Sequence, residues 1–159
     1  MRVIERIERC REKVVGWAVR GRSLALLLVR LSLASVFVPS GWGKIHDLAK
    51  VTAFFTELGI PMPHANAILV SLTELGCGVL LLVGLAGRLA ALPIVANMAV
   101  AIITAKRDDV HGLTDLFALD EFLYIVMALV VVAFGAGLFS LDALAMRFLG
   151  KSKVVRSEN

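Results

Sequence analysis

Four apolar stretches, at residues 23–42, 65–86, 89–105 and 122–141, constrain this chain more than any other feature. Each is about 17 to 22 residues long, and a helix of roughly 20 apolar residues crosses a hydrocarbon layer about 30 Å thick. Lipid offers the backbone no water to bond. A spanning segment must therefore satisfy its own N–H and C=O groups, which an α-helix does internally. The expectation is an all-α integral membrane protein, an antiparallel four-helix bundle. Composition agrees: 58% of the 159 residues are hydrophobic, only 19% are charged, and the mean hydropathy is +0.84. That leaves too little polar surface for a water-soluble domain of this length. The third stretch, about 17 residues, is at the lower limit for crossing. Little more than Gly87 and Arg88 joins it to the second, which makes the two an antiparallel hairpin.

Charge fixes the expected orientation. Residues 1–22 carry seven Lys/Arg, the short loop has Arg88, and the tail has Arg147, Lys151, Lys153 and Arg156, twelve in all. The opposite side has four: Lys44, Lys50, Lys106 and Arg107. Under the positive-inside rule both termini lie in the cytoplasm. The net charge of +4 and pI of 9.4 are accounted for by this topology, and no basic–aromatic interleaving suits stacked bases, so nucleic acid is not an expected partner.

Three regions follow. Residues 1–22 place Val3, Ile7, Cys10, Val14 and Trp17 on one helical stripe with arginines mostly beside it, the pattern of a basic amphipathic helix in the membrane interface. Residues 23–142 form the membrane domain, and 143–159 a basic cytoplasmic tail. Within the membrane domain, the segment 43–64 carries an apolar stripe (Ile45, Leu48, Val51, Phe54, Phe55, Leu58) that Gly59 and the prolines beyond it stop. It reads as a short helix on the outer leaflet. The cysteines, Cys10 and Cys77, are far apart and in no CxxC pair, so neither disulfide nor dithiol chemistry is expected. His46, His64 and His111 have no metal-ligand spacing. Gly76, Gly78, Gly84, Gly135 and Gly137 read as points of close helix approach.

The residues that stand out are polar ones in apolar spans: Arg30 in the first, Glu74 in the second and Asn97 in the third. A charge near the bilayer centre costs at least about 2.5–3.5 kcal/mol on insertion scales, so such groups face the bundle and pair. Their depths predict an Arg30–Glu74 ion pair with Asn97 beside it. Such a pair either fixes helix register or binds and protonates a substrate. Glu121 and Tyr124, at the outer end of the fourth span, are either a second acid and its neighbour on a polar path or interfacial residues. The candidate catalytic pair is thus Arg30 and Glu74, and Asn97, Glu121 and Tyr124 are candidate cofactor-binding residues.

Taken in order, these motifs resemble the DoxX family of small four-helix membrane proteins. They are Arg30; Gly41-Trp42-Gly43-Lys44; Phe54-Phe55 with Gly59-Ile60-Pro61; Glu74 with Gly76 and Gly78; Gly84 and Arg88; and Glu121 with Gly135, Gly137 and Ser140-Leu141-Asp142. The resemblance covers about residues 23–142. It implies a bacterial cytoplasmic (inner) membrane and an association with redox chemistry, as in subunits of quinone-linked oxidoreductases and oxidative-stress systems. No flavin, haem or dithiol motif occurs in the sequence, so the cofactor is left open, and if electrons move here a bound quinone or a partner subunit would carry them. Expected partners are the lipid bilayer, a redox subunit and further copies of the chain. Two other readings stay open: a non-catalytic anchor or assembly factor acting through residues 1–22, and a small solute or anion transporter in which Arg30 attracts the anion.

Overall fold

The computed structural model describes the backbone of residues 2–146 and the side chains of residues 21–146 except that of residue 108. Every regular element among them is helical: α1 (Arg2–His46), α2 (Leu48–Glu57), α3 (Pro63–Val83), α4 (Gly87–Thr104), a 3₁₀ turn (Arg107–Asp109), α5 (Leu113–Ala118) and α6 (Asp120–Phe134). Residues 141–146 are helical again. Three segments are long and apolar enough to cross a membrane, namely Gly21–His46 of α1, α3 and α4. Their outward faces hold large apolar side chains: Leu69, Leu89 and Ile103 are 61, 70 and 68% exposed. In water such faces would associate, whereas in lipid they are solvated. The protein is a helical membrane protein.

The helix ends explain where the chain turns. Asp47 caps α2, its carboxylate accepting from the Lys50 N–H at 3.2 Å. Gly59, at φ +69°, stops that helix, and Pro63 opens α3 in its first turn. Gly84, at φ +72°, ends α3. The α3–α4 turn is therefore residues 84–86, slightly earlier than the expected Gly87–Arg88, and Gly87 already belongs to α4. Ala86 holds the unusual φ of +48° at the N-cap of α4. Its N–H and that of Gly87 donate to the Asp142 carboxylate at 2.9 and 3.3 Å. A side chain from the far end of the domain thus satisfies the orphan donors of this helix.

Two sequence expectations change. The fourth stretch does not run as one helix to residue 141: α6 has 15 residues and ends at Phe134. Gly135 and Gly137, at φ +77° and +78°, break it. At about 1.5 Å per residue α6 is roughly 22 Å long, shorter than the other three. The first stretch has no boundary near residue 22, because the α1 backbone is continuous from Arg2 to His46. The amphipathic stripe expected of residues 1–22 falls almost wholly on side chains outside the described residues, as does most of the 143–159 tail.

α1 packs on α3, α3 on α4, α4 on α6, and α6 returns to α1, while α2 lies across the end of α3. The shared core is Leu33, Phe37, Leu81, Ile94, Met98 and Val131, with Ala90, Ala91 and Ala128 where backbones come close. The α1–α3 contact is the tightest: a Cβ on Gly41 would lie 2.4 Å from the Leu75 backbone nitrogen, and one on Gly78 would lie 3.1 Å from that of Val38. Gly76, expected at a helix contact, has open space around its Cβ position. It sits on the same helix as Gly78 but points away from α1.

Candidate functional site

At the α2 end of the molecule the helices line an open-sided cavity of about 910 Å³, with walls from α1, α3, α4 and α6 and a roof from α2. Its lining is largely apolar. Phe37 lies at its inner end, edge-on to Tyr124 with ring centroids 5.5 Å apart, and Phe54 and Phe55 come from the roof. The volume is in the range of sites that enclose a small organic molecule.

The polar groups of the cavity are few and converge. Glu74, on α3, has a side chain 2% exposed. The Lys44 ammonium donates to its Oε1 at 2.5 Å, and the Ser40 hydroxyl to its Oε2 at 2.7 Å. Ser40 and Lys44 are four residues apart on α1 and so share a face. Lys44 is near the end of its helix, with its side chain 32% exposed. It reaches back along the helix, its stem in apolar surroundings and its charge against the carboxylate. A lone carboxylate at this depth would be strongly unfavourable, so the ammonium and the hydroxyl are what compensate Glu74 there.

Asn97, Glu121 and Tyr124 line the same cavity. Four of the five residues singled out by sequence thus meet at one place. At the mouth Lys106 bonds Asp109 at 3.2 Å. That bond, with the fields of Asp109, Glu121 and Asp120, raises the Lys106 pKa above its ordinary value.

The fifth residue, Arg30, is elsewhere, and the expected Arg30–Glu74 ion pair does not form. Arg30 is 1% exposed and points to the opposite end of the molecule. Its Nε donates to the Leu81 carbonyl at 2.8 Å and its Nη2 to that of Leu82 at 3.2 Å. Its Nη1 donates to the carbonyls of Ala136 at 2.6 Å and Phe139 at 2.9 Å. Leu81 and Leu82 lie in the last turn of α3, where carbonyls lack helical partners and the helix dipole is negative. Ala136 and Phe139 lie in the irregular segment after α6, which also needs donors. A five-donor fork matches these acceptors better than one carboxylate about 10 Å farther along α3. Arg30 is a staple joining α1, α3 and the 135–140 segment. It does not line the cavity, so the transporter reading loses its anion-attracting group.

Sequence reasoning missed Lys44 and Ser40. Lys44 was counted as a loop charge because the first span was ended at residue 42. The available signal was helical spacing, Ser40 and Lys44 at i, i+4, set against Pro39, Gly41 and Gly43, which argue for a break that α1 does not make.

Fold and site together define a helical membrane protein with an open-sided, mostly apolar cavity and the Lys44–Glu74 ion pair on its wall. The DoxX family model matches residues 25–107, just over half of the sequence, and the chain belongs to that family. The match includes Arg30, Lys44, Glu74 and Asn97. No curated protein and no solved structure matches the chain.

Proposed function

We propose that this protein is the membrane subunit of a quinone-linked redox system, binding a quinone in the cavity beside Glu74. It crosses a bacterial cytoplasmic membrane four times as a helix bundle, with both termini in the cytoplasm. The observation that carries the reading is the pairing of a roomy apolar cavity with a single buried acid on its wall. An apolar ring and tail suit the lining, and the polar atoms of the wall suit ring oxygens. A bound quinone supplies the two-electron couple that the side chains lack. Glu74 is the proton-exchanging group, at Oε2. Ser40 orients that oxygen, and Lys44, in the place first expected of Arg30, supplies the carboxylate's counter-charge.

The test is binding of a short-chain quinone analogue to the purified protein. Wild type should bind it saturably, and Glu74→Gln should weaken binding of its reduced quinol form about tenfold, because only the quinol has an O–H to donate to the carboxylate. Failure of both proteins to bind would remove the reading.

A further inference from the structure

Asn97 is a group the protein itself does not use. Its amide nitrogen Nδ2 is shut away from solvent with no hydrogen-bond partner among the described residues. Leaving a buried amide donor unpaired is unfavourable, and in lipid no bulk water relieves it. Packing does not call for an amide there: the adjacent Met98 and Ile94, one turn back, are core residues, and the rest of the middle of α4 is apolar. A side chain that disfavours the empty protein becomes favourable when something outside the chain completes it.

Its position says what that something meets. Asn97 follows the 84–86 turn by about as many residues as Glu74 precedes it, so at roughly 1.5 Å per residue the two lie at the same depth on neighbouring helices. Each Glu74 oxygen already accepts one hydrogen bond, Oε1 from Lys44 and Oε2 from Ser40. Carboxylate and ammonium compensate each other, so this level of the cavity selects no ion. What stays without a partner is a neutral donor, which a turn of the amide about χ2 brings to the cavity that Asn97 lines. Leu69 and Val100 also line the cavity, and they are 61 and 52% exposed on the outward faces of α3 and α4. The wall therefore meets the lipid beside Asn97's own helix.

We infer that Asn97 reads the ligand's head group, its Nδ2–H donating to a neutral carbonyl oxygen on a lipid-soluble ring that enters from the bilayer between α3 and α4. The inference rests on the quinone-type reading above and specifies its recognition. The carbonyl oxygen accepts at Asn97, and the apolar body of the ligand lies towards Phe54 and Phe55 under α2.

Two probes test it on the full chain in nanodiscs: a short-chain 1,4-benzoquinone and the same chain on an unsubstituted benzene ring. Wild type should bind the quinone at least about tenfold more tightly than the arene. Asn97→Leu, and Asn97→Ala as a variant that adds no bulk, should bring that ratio to within about threefold. Asn97→Leu should also raise the melting temperature of the ligand-free protein, whereas loss of a merely structural amide would lower it. An unchanged ratio in both variants would overturn the inference and leave the quinone reading standing. A lost ratio with a lowered melting temperature or a failure to fold would assign Asn97 to structure and overturn it. Binding of neither probe by wild type would end both.

Discussion

Lys44 and Glu74 sit in unlike surroundings, the lysine side chain 32% exposed and the glutamate 2%. That asymmetry sets what each substitution does. Removing the lysine strands a carboxylate in the interior, with only the Ser40 hydroxyl to hold it. Lys44→Met should destabilise the protein by on the order of 3 kcal/mol. Adding Glu74→Gln to it should recover most of that loss, because the neutral amide needs no counter-charge. Thermal unfolding of the two variants in detergent checks this, and a neutral Lys44→Met would show that the pair does not hold the carboxylate in place. Arg30 is the contrasting case: an equally buried charge, but one that four carbonyls hold and no carboxylate touches. An intramembrane charge marks a constraint. Its partners show whether the constraint belongs to a site or to the fold.

Helix against helix, the α1–α3 contact decides the shape of the cavity, since Ser40 and Glu74 meet only if these two backbones approach closely. Gly41 permits it. Gly41→Ala should cost about 2–3 kcal/mol, because the new Cβ would press on the Leu75 backbone, which has no flexible end to give way. Gly76→Ala, on the same α3 and facing open space, should be neutral or stabilising by up to about 1 kcal/mol. The two melting temperatures, measured side by side, separate close packing from helix propensity. Equal effects would mean that Gly41 has no packing role. The break after α6 belongs to this scale too. By ending that helix early, Gly135 and Gly137 free carbonyls for Arg30 and bring Asp142 to the α3–α4 turn.

Across the whole molecule the two ends differ in kind. One is locked: Arg30 and Asp142 tie together α1, the α3–α4 turn and the segment after α6. The other is open and holds the cavity under α2. In the proposed orientation, with both termini in the cytoplasm, the locked end is the cytoplasmic one. In intact cells, a cysteine at the exposed Thr56 should accordingly react with an impermeant thiol reagent, and one at Ser157 should not. The reverse pattern would invert the orientation and put the cavity mouth in the cytoplasm.

The apolarity of the spans, and the length of three of them to within a turn, were legible in the sequence because lipid imposes them residue by residue, with no need to know what packs on what. Glu74, Asn97, Glu121 and Tyr124 were legible as a set for the same reason: polar side chains in or beside hydrocarbon must face inward. What they would pair with was not. Arg30 found carbonyls freed by two helix ends, one of them made by glycines more than a hundred residues away. Lys44 found Glu74 because its helix ran one turn farther than the apolar stretch and curled the ammonium back inside. Burial is a property of a segment and can be read along the chain. Hydrogen-bond partnership depends on which unsatisfied groups arrive at the same point, and only the packed tertiary structure brings them there.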